Sequence, residues 1–383
     1  MESGWRVLTV DDHGSMRSLL KKMLLQMGCF GLIEEANDGE EAWGKLRTQS
    51  FDLVIADVNM PRLGGIGLLK RCRSESDLRD LPFLMISGDA LPEIVASAGE
   101  WGAYDYIVKP FSFNILKSRI VAIMERWKSP EELLFREAER LKEAGYAEEA
   151  LDKVEEFEES TSSLRTRWLN LKGECLIELD RIEEAAVAVE KALQQSDHYL
   201  AAYKSSALIH QRLGNIDKAI DALTKADNLS PTSSERKLTL ARLLMKSGRE
   251  EEGKKYLDKV LKMPPSEETG TNRLKVAEVL LESGGFAEAE KLYLRALREN
   301  PEESEALNRL GIVFRRQGKF KEAEQYYQLA LKNFPDNPAI HYNLGVLNAT
   351  LQNKVKAVTY LRKALDLDPT FEPARKLLDN MER

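Results

Sequence analysis

The first 128 residues alternate short apolar runs with amphipathic segments. Five runs rich in large apolar and β-branched residues are spaced along this part of the chain: WRVLTV (5–10), LIEEA (32–36), DLVIA (52–56), PFLMIS (82–87) and YDYIV (104–108). Segments between them, such as MRSLLKKMLLQM (16–27), carry apolar residues at helical spacing. Strands that alternate with helices predict βαβ units. We therefore expect a doubly wound α/β domain with a five-stranded parallel sheet.

Residues 129–383 follow a different period. Small residues and prolines recur at a constant offset of 34: Gly311 with Gly345, Ala323 with Ala357, Ala330 with Ala364 and Pro335 with Pro369. Small residues let paired helices approach closely, and a proline ends the second helix of a unit. Tracing this register back along the chain predicts about seven helix–turn–helix units, closed by a short capping helix over 372–383. The second domain is therefore expected to be all-α.

The predicted domain boundary lies between residues 128 and 129, where the sequence has no Gly/Ser-rich linker. A helix expected over 114–128 is followed at once by Ser129, Pro130 and Glu132, which suit the N-cap, the first and the third positions of a new helix. Such a stiff junction is able to transmit movement, and it is equally consistent with ordinary domain packing.

Polar residues stand at the ends of four predicted strands. Asp11 and Asp12 follow the first strand, Asp57 ends the third, Ser87 ends the fourth, and Lys109 follows the fifth. Taken singly, each suits a solvated turn, a loop or a cap. Ligands bind at the carboxyl ends of parallel strands, near the point where the strand order reverses. We therefore expect these side chains to converge on one pocket.

The chemistry of such a pocket is limited. Clustered carboxylates need a hard cation to neutralise them, and Mg²⁺ binds through a few carboxylates, phosphate oxygens and water. An aspartate carboxylate is able to attack a phosphoryl donor, while a lysine and a hydroxyl stabilise the charge that develops. Gly64, Gly65 and Gly67 do not form a Walker-type loop. The sequence therefore predicts a pocket that accepts phosphate rather than a nucleotide site.

Charge and composition narrow the function further. The net charge is −7, divided as −2 over residues 1–128 and −5 over the remainder. Neither part has the basic character of a nucleic-acid-binding module. The N-terminus lacks the features of a signal peptide, and no apolar run approaches membrane-spanning length. Cys29, Cys72 and Cys175 are too scattered for a disulfide framework or a CxxC pair, so we expect reduced thiols in or near cores and a cytoplasmic protein.

Several motifs give residues 4–128 a family resemblance. They resemble a response-regulator receiver domain of the chemotaxis type in these segments: VDDHGSMR (10–17), EANDGEEA (35–42), DVNMP (57–61), MISGD (85–89) and YIVKPF (106–111). The chemotaxis receiver is itself a known example of a flavodoxin-like strand order, so that order belongs to the resemblance and is not a separate deduction.

The resemblance implies specific roles. Asp57 would be the phosphoacceptor and Asp12 a direct Mg²⁺ ligand, with Asp11 holding the waters of the metal and Asn59 supplying its backbone carbonyl. Lys109 would pair with the phosphoryl oxygens, across a bond to Pro110 that is cis in the family.

Ser87 and Tyr106 would form the switch: the hydroxyl of Ser87 would move towards the phosphate, and Tyr106 would change rotamer behind it. The chain departs from the family at Gly64-Gly65, where an Asp-Gly pair is common, and at Gly88, where alanine is usual. His13 is expected at the edge of the pocket. None of these departures removes a catalytic group.

The periodic second half resembles tetratricopeptide (TPR) repeats, most specifically over 270–371. Such arrays present a concave groove lined by the first helix of each unit. Glu278 and Glu282 are expected in that groove, with apolar Leu208, Ile312 and Tyr342. A groove that combines basic, acidic and apolar side chains predicts a peptide or helix of acidic and apolar character as the ligand. The alternative is that these residues form only a solvated helix face. The basic groove candidates are Lys204, Arg212, Arg242, Lys246, Arg315 and Arg316.

The favoured interpretation is a two-component response regulator, phosphorylated on Asp57, whose TPR domain binds a protein partner according to the phosphorylation state. The expected donor is a sensor histidine kinase or a phosphotransfer protein, and a second copy of the chain is a further candidate partner. No enzymatic activity beyond phosphoryl transfer to and from itself is expected, and neither nucleic acid nor a membrane is expected as a partner. Alternatives are a TPR phosphatase for other receivers, a DNA-binding regulator, which the charge disfavours, and a phosphate sink that docks the kinase.

Overall fold

The computed structural model describes residues 4–88, 98, 101–157, 164–263, 272–300 and 303–382. The chain divides into two compact units, residues 1–233 and 234–383. The first unit contains the sheet and the helical pairs that directly follow it. The predicted boundary after residue 128 stays a prediction, because the first helices beyond it belong to the same compact unit as the sheet.

A five-stranded, all-parallel sheet forms the first part of this unit, in the order β2-β1-β3-β4-β5. Its strands are β1 Trp5–Val10, β2 Phe30–Ala36, β3 Leu53–Asp57, β4 Phe83–Ser87 and β5 Asp105–Val108. The helices described around it are α1 Gly14–Met27, α2 Gly39–Leu46, α3 Gly65–Ser74 and α4 Phe113–Trp127. The predicted doubly wound α/β fold is confirmed.

Alternate residues of each strand supply two separate cores. Leu8, Ala56 and Met85 face the layer that contains α2 and α3. Ile55 and Ile86 face the layer that contains α1 and α4. Because helices cover both faces, the central strands read as continuous apolar runs, which is typical of a parallel sheet.

The rest of the chain is helical. In the first unit the helices are α5 Pro130–Glu143, α6 Ala147–Glu155, α7 Arg165–Glu178, α8 Ile182–Gln195, α9 Leu200–Arg212 and α10 Ile216–Leu229. In the second unit they are α11 Ser234–Lys246, α12 Glu250–Lys262, α13 Asn272–Glu282, α14 Phe286–Glu299, α15 Ser304–Arg316, α16 Phe320–Asn333, α17 Pro338–Thr350, α18 Lys354–Leu367 and α19 Glu372–Glu382. The predicted all-α region is confirmed. No helix in the described ranges has both the length and the apolar character that a membrane crossing requires.

The periodic small residues lie where two helices of a pair meet. A Cβ added at Gly311 would stand 2.3 Å from the ring of Tyr327, and one at Gly345 would stand 2.8 Å from Leu361. Ala323 and Ala357 are fully buried in the same contacts. The 34-residue period therefore records the positions at which paired helices touch.

Candidate functional site

The carboxyl ends of the strands bring three of the predicted polar residues into contact. Asp57 is the last residue of β3, and Asp11 directly follows β1, its neighbour in the sheet. The ammonium group of Lys109, one residue beyond β5, lies between them: its Nζ is 2.8 Å from Asp11 Oδ2 and 2.7 Å from Asp57 Oδ1. A residue 98 positions away in sequence thus completes the pocket with Asp11.

Burial and charge act against each other at Asp57. The residue is only 7% exposed. Burial raises the pKa of its carboxyl above the ordinary value, the hydrogen bond and charge of Lys109 oppose that rise, and the charge of Asp11 adds to it. For Lys109, burial favours a lower pKa, but the hydrogen bonds to Asp11 and Asp57 outweigh it and raise the pKa. One cation therefore serves two carboxylates, and at Asp57 it does not overcome the effect of burial.

The acidic end of the pocket offers oxygen ligands. Ligand atoms of Asp11, Asp12 and His13 all lie within 4.8 Å of one another. The backbone N–H of His13 donates to Asp11 Oδ1 at 2.9 Å, and its ring Nδ1 lies 2.7 Å from Asp12 Oδ1. Carboxylate oxygens beside a buried, under-compensated Asp57 suit a hard divalent cation such as Mg²⁺. Hydrogen bonding by the Asn59 backbone acts to lower the pKa of the Asp57 carboxyl, whereas the role of the Asn59 carbonyl stays a prediction.

Gly65 is required by the backbone of the pocket. A Cβ at Gly65 would stand 2.2 Å from the carbonyl oxygen of Asp57, and one at Gly64 would stand 2.8 Å from that of Val58. The N–H of Gly65 also donates to the Val58 carbonyl at 3.1 Å. The glycine pair noted as a departure from the receiver pattern therefore lets α3 begin directly against the end of β3.

The two predicted switch residues flank the pocket. Ser87 is fully buried at the end of β4, and its carbonyl accepts from the backbone N–H of Lys109 at 2.7 Å. Tyr106, in β5, is half-buried against the core that faces α2 and α3. The Lys109–Pro110 peptide bond is cis, as the resemblance implied. Movement of Ser87 or Tyr106 stays a prediction.

The groove candidates lie on first helices of their pairs, as expected, and two of them pair with acidic residues of other helices or turns. In the first unit, Arg212 of α9 pairs with Asp180 at 3.2 Å. In the second unit, Arg242 of α11 pairs with Glu282 of α13 at 2.8 Å. The other basic candidates, on the same helices and at the end of α15, are Lys204, Lys246, Arg315 and Arg316. Their part in partner binding stays a prediction.

A second buried carboxylate, at Glu132, was not singled out as a site by the sequence. It is 0% exposed, although it lies in the first turn of α5. Its oxygens accept from Arg126 at the end of α4, from Arg167 of α7 and from the Tyr104 hydroxyl just before β5, at 2.9–3.1 Å. The only signal in the sequence was the helix start at Ser129 and Pro130, which a local capping role explains completely.

Comparison with known proteins agrees with this geometry. Residues 7–121 match the response regulator receiver domain, and residues 210–268, 274–338 and 315–370 match tetratricopeptide repeats. The chemotaxis protein CheY-3 of Vibrio cholerae is 40% identical over 126 residues, which are 33% of this chain and 96% of that protein. The chemotaxis protein CheY of Pseudomonas aeruginosa is 38% identical over 121 residues, which are 32% of this chain and 97% of that protein.

The helical region has a structural counterpart. A tetratricopeptide repeat protein from Parabacteroides merdae superposes with a TM-score of 0.50 at 17% identity, over 66% of this chain and 98% of that one. At this identity the likeness concerns the fold alone.

The fold and the site define a class of protein: an α/β domain with an acidic, lysine-containing pocket, joined to a helical repeat array. The chain belongs to the response regulator receiver family and carries TPR repeats after the receiver. Receiver domains bind Mg²⁺ at an acidic pocket of this kind, and the family implies a histidine kinase or phosphotransfer partner.

Proposed function

We propose that this chain is a two-component response regulator in which Asp57 accepts a phosphoryl group and the TPR domain, residues 129–383, binds a protein partner according to the phosphorylation state. The observation that carries the proposal is the contact of Lys109 with both Asp11 and Asp57 at the strand ends. The Asp57 carboxylate lines a charged pocket and shares the Lys109 ammonium group with Asp11. Phosphoryl transfer to an aspartate needs a carboxylate nucleophile of this kind.

The proposed reaction transfers a phosphoryl group from a phosphohistidine to Asp57. A carboxylate oxygen of Asp57 bonds to the phosphorus of a donor phosphohistidine, the phosphorus–nitrogen bond breaks, and the leaving imidazole takes the electron pair and later a proton. Asp11, Asp12, Asp57 and the carbonyl of Asn59 would hold Mg²⁺, which supplies charge neutralisation at the phosphoryl oxygens. The donor would be a sensor histidine kinase or a phosphotransfer protein in the cytoplasm.

Lys109 and Ser87 then hold the product. The ammonium group of Lys109 is already within hydrogen-bonding distance of Asp57, so it would follow the added phosphoryl oxygens. The hydroxyl of Ser87, at the end of the neighbouring strand, would donate to them. Phosphorylation changes the carboxyl from a charge of −1 to about −2, which is the change that the rest of the domain must accommodate.

The consequence for the TPR domain is a change in partner affinity. Coupling between two sites is typically ~1–3 kcal/mol, so phosphorylation should change affinity by about 5- to 150-fold. The residues proposed for partner binding are Lys204 and Arg212 in the first unit and, in the second unit, Arg242, Lys246, Arg315 and Arg316.

The experiment is affinity capture with the purified full chain, with and without Mg²⁺ and beryllofluoride, followed by quantitative mass spectrometry. Asp57→Asn is the matched control, because it keeps the size of the side chain and removes the nucleophile. Partners whose recovery depends on beryllofluoride with wild type, and not with Asp57→Asn, support the proposal. Identical partner profiles and identical self-association of the two proteins under both conditions contradict it.

A further inference from the structure

The Glu132 carboxylate joins three parts of the first unit. Tyr104, just before β5, donates its hydroxyl to Glu132 Oε1 at 3.1 Å. Arg126, at the end of α4, donates from Nε to Oε2 at 3.0 Å. Arg167, in α7 of the repeats, reaches both oxygens at 2.9 and 3.0 Å. The sheet, the last helix of the receiver and the second helical pair therefore meet at one buried anion.

A neighbouring arginine fixes the end of α4 to the same helix. Arg136, one turn beyond Glu132 in α5, donates from Nη2 to the carbonyl of Trp127 at 2.8 Å. Its guanidinium also lies 3.4 Å from the centroid of the Trp127 ring. Because Arg136 is itself buried, α5 covers the C-terminal end of α4 and leaves it little freedom to move alone.

The outer part of this contact differs in kind. Arg140 of α5 pairs with Asp80, and Arg79 pairs with Glu143. The side chains of these pairs keep between 19% and 65% of their surface exposed, and ion pairs open to solvent contribute little to stability. Glu132 is the opposite case, a carboxylate removed from water and surrounded by three donors. The contact between the receiver and the repeats therefore has a buried charged centre and an exposed rim.

Two elements run from the phosphoacceptor pocket to this centre. Strand β5 lies between Tyr104 at one end and Lys109 at the other, a span of about 17 Å at ~3.3 Å per residue. Helix α4 begins at Phe113, shortly after Lys109, and ends at Trp127 beside Arg136. Both are regular secondary-structure elements, which are among the parts of a protein that carry coupling between two sites.

We propose that Glu132 couples the phosphorylation state of the receiver to the packing of the first repeats, with Tyr104 as the link from β5 and Arg126 as the link from α4. This inference rests on the proposed function, because it assumes that Asp57 is phosphorylated. A shift of Lys109 towards an added phosphoryl group moves the end of β5, and Tyr104 changes its hydrogen bond to Glu132. Glu132 then redistributes its contacts between Arg126 and Arg167, which shifts α5 against α7.

Tyr104→Phe is the mildest test, because it removes one hydroxyl and leaves the ion pairs of Glu132 in place. The matched control is Tyr146→Phe, the same substitution at an exposed tyrosine between α5 and α6. Hydrogen–deuterium exchange of the full chain is followed with and without Mg²⁺ and beryllofluoride, over residues 130–143 and 165–178. We expect beryllofluoride to change exchange there in wild type and in Tyr146→Phe, and the change to be reduced in Tyr104→Phe, which keeps only the link through Arg126.

Linkage supplies a second measurement. If beryllofluoride binding changes the equilibrium of the repeat packing by some factor, the repeat packing changes the affinity of the pocket for beryllofluoride by that same factor. A variant that breaks the link removes this contribution to the affinity. We expect the dissociation constant, measured by titration calorimetry in Mg²⁺, to change by about fivefold or more in Tyr104→Phe and in Glu132→Gln, and not in Tyr146→Phe.

The outcomes separate the two proposals. Exchange that changes over residues 53–65 but responds identically in wild type and Tyr104→Phe over 165–178 overturns the coupling and leaves the proposed function standing, as does an unchanged dissociation constant. If beryllofluoride has no effect even over 53–65 in wild type, both proposals fail.

Discussion

Two buried carboxylates within one compact unit have opposite electrostatic surroundings. Asp57 is 7% exposed and Glu132 is 0% exposed, so at both residues burial acts to raise the pKa of the carboxyl. At Asp57 the shared Lys109 does not overcome burial and the charge of Asp11, and the pKa is raised. At Glu132 burial also acts to raise the pKa, but Arg167 and Arg126 outweigh it and the pKa is lowered.

The difference separates a reactive group from a structural one. A buried carboxylate whose charge is not fully compensated is stabilised by a bound cation. Its oxygen also remains available to form a covalent bond to phosphorus. The carboxylate of Glu132 already accepts hydrogen bonds from two guanidinium groups and a hydroxyl, so its charge is compensated within the protein. Breaking a buried pair leaves an uncompensated charge, whereas relieving a crowded anion does not. Burial by itself therefore says little about function, and the balance of neighbouring charges says more.

The largest expected effect comes from replacing each carboxylate by its amide. Glu132→Gln leaves Arg126 and Arg167 without their anion and should lower the free energy of unfolding of the first unit by about 3–5 kcal/mol. Asp57→Asn should raise that free energy, because it removes a crowded charge and Lys109 keeps Asp11. All five tryptophans lie in residues 1–233, so their fluorescence in a urea titration follows this unit.

The control for that comparison is Glu143→Gln at the exposed rim, expected to cost less than about 1 kcal/mol. A loss of stability in Asp57→Asn comparable with that in Glu132→Gln is incompatible with the contrast drawn between the two sites.

An intermediate effect should follow from a single methyl group at the pocket. Gly65→Ala places a Cβ against the carbonyl of Asp57, and overpacking of this kind costs about 1–3 kcal/mol. Gly88→Ala is the matched control beside the same pocket, since a Cβ there meets no atom within 4 Å among the residues that the structure describes. Urea unfolding and the rate of phosphorylation by acetyl phosphate should both be impaired in Gly65→Ala and unchanged in Gly88→Ala. Equal behaviour of the two variants would argue against a tight backbone at Asp57.

The two carboxylates should also differ in how their ionisation affects stability as the pH changes. The pKa of Glu132 lies below its ordinary value of 4.5 when folded. Its stabilising contribution is therefore complete above about pH 4.5 and is lost as the pH falls through the lowered pKa. Asp57 behaves in the opposite sense: its folded pKa lies above the ordinary 3.8, so its ionisation begins to cost stability as the pH rises through that value.

Urea titrations of wild type, Glu132→Gln and Asp57→Asn at several acidic pH values measure the free energy of unfolding of each variant, and so show whether ionisation of each carboxylate raises or lowers stability. The gap between wild type and Glu132→Gln should close towards low pH, and so should the gap between wild type and Asp57→Asn. A difference in the free energy of unfolding between wild type and Glu132→Gln that grows as the pH falls would contradict the lowered pKa of Glu132.

The sheet and the pocket could be predicted because their signals are local and periodic. Alternating strands and helices set the fold, and strand ends carry Asp11, Asp57 and Lys109 to the same edge whatever the loops do. Strand starts differ by one or two residues from the prediction: β2 begins at Phe30 rather than at residue 32, and β3 begins at Leu53 rather than at residue 52. Such shifts arise because hydrogen bonds to neighbouring strands, which the sequence does not display, decide where a strand begins.

The Glu132 centre could not be predicted. Its partners Tyr104 and Arg167 are 28 and 35 residues away, with no period that relates them. In addition, the local motif that begins at Ser129 already gave Glu132 a sufficient role at the helix start. The basic groove residues show the same difficulty. Arg242 meets Glu282 across 40 positions, and a single sequence does not distinguish such a partner from a ligand.

The central claim is that Asp57 is the residue that receives phosphate. The purified full chain is incubated with acetyl phosphate and Mg²⁺ and analysed by intact mass and peptide mapping, with Asp57→Asn in parallel. We predict one added phosphoryl group, stable in acid, released by hydroxylamine, located at Asp57 and missing from the variant. The account is contradicted if the wild-type chain gains no such group, or if Asp57→Asn gains it to the same extent as wild type.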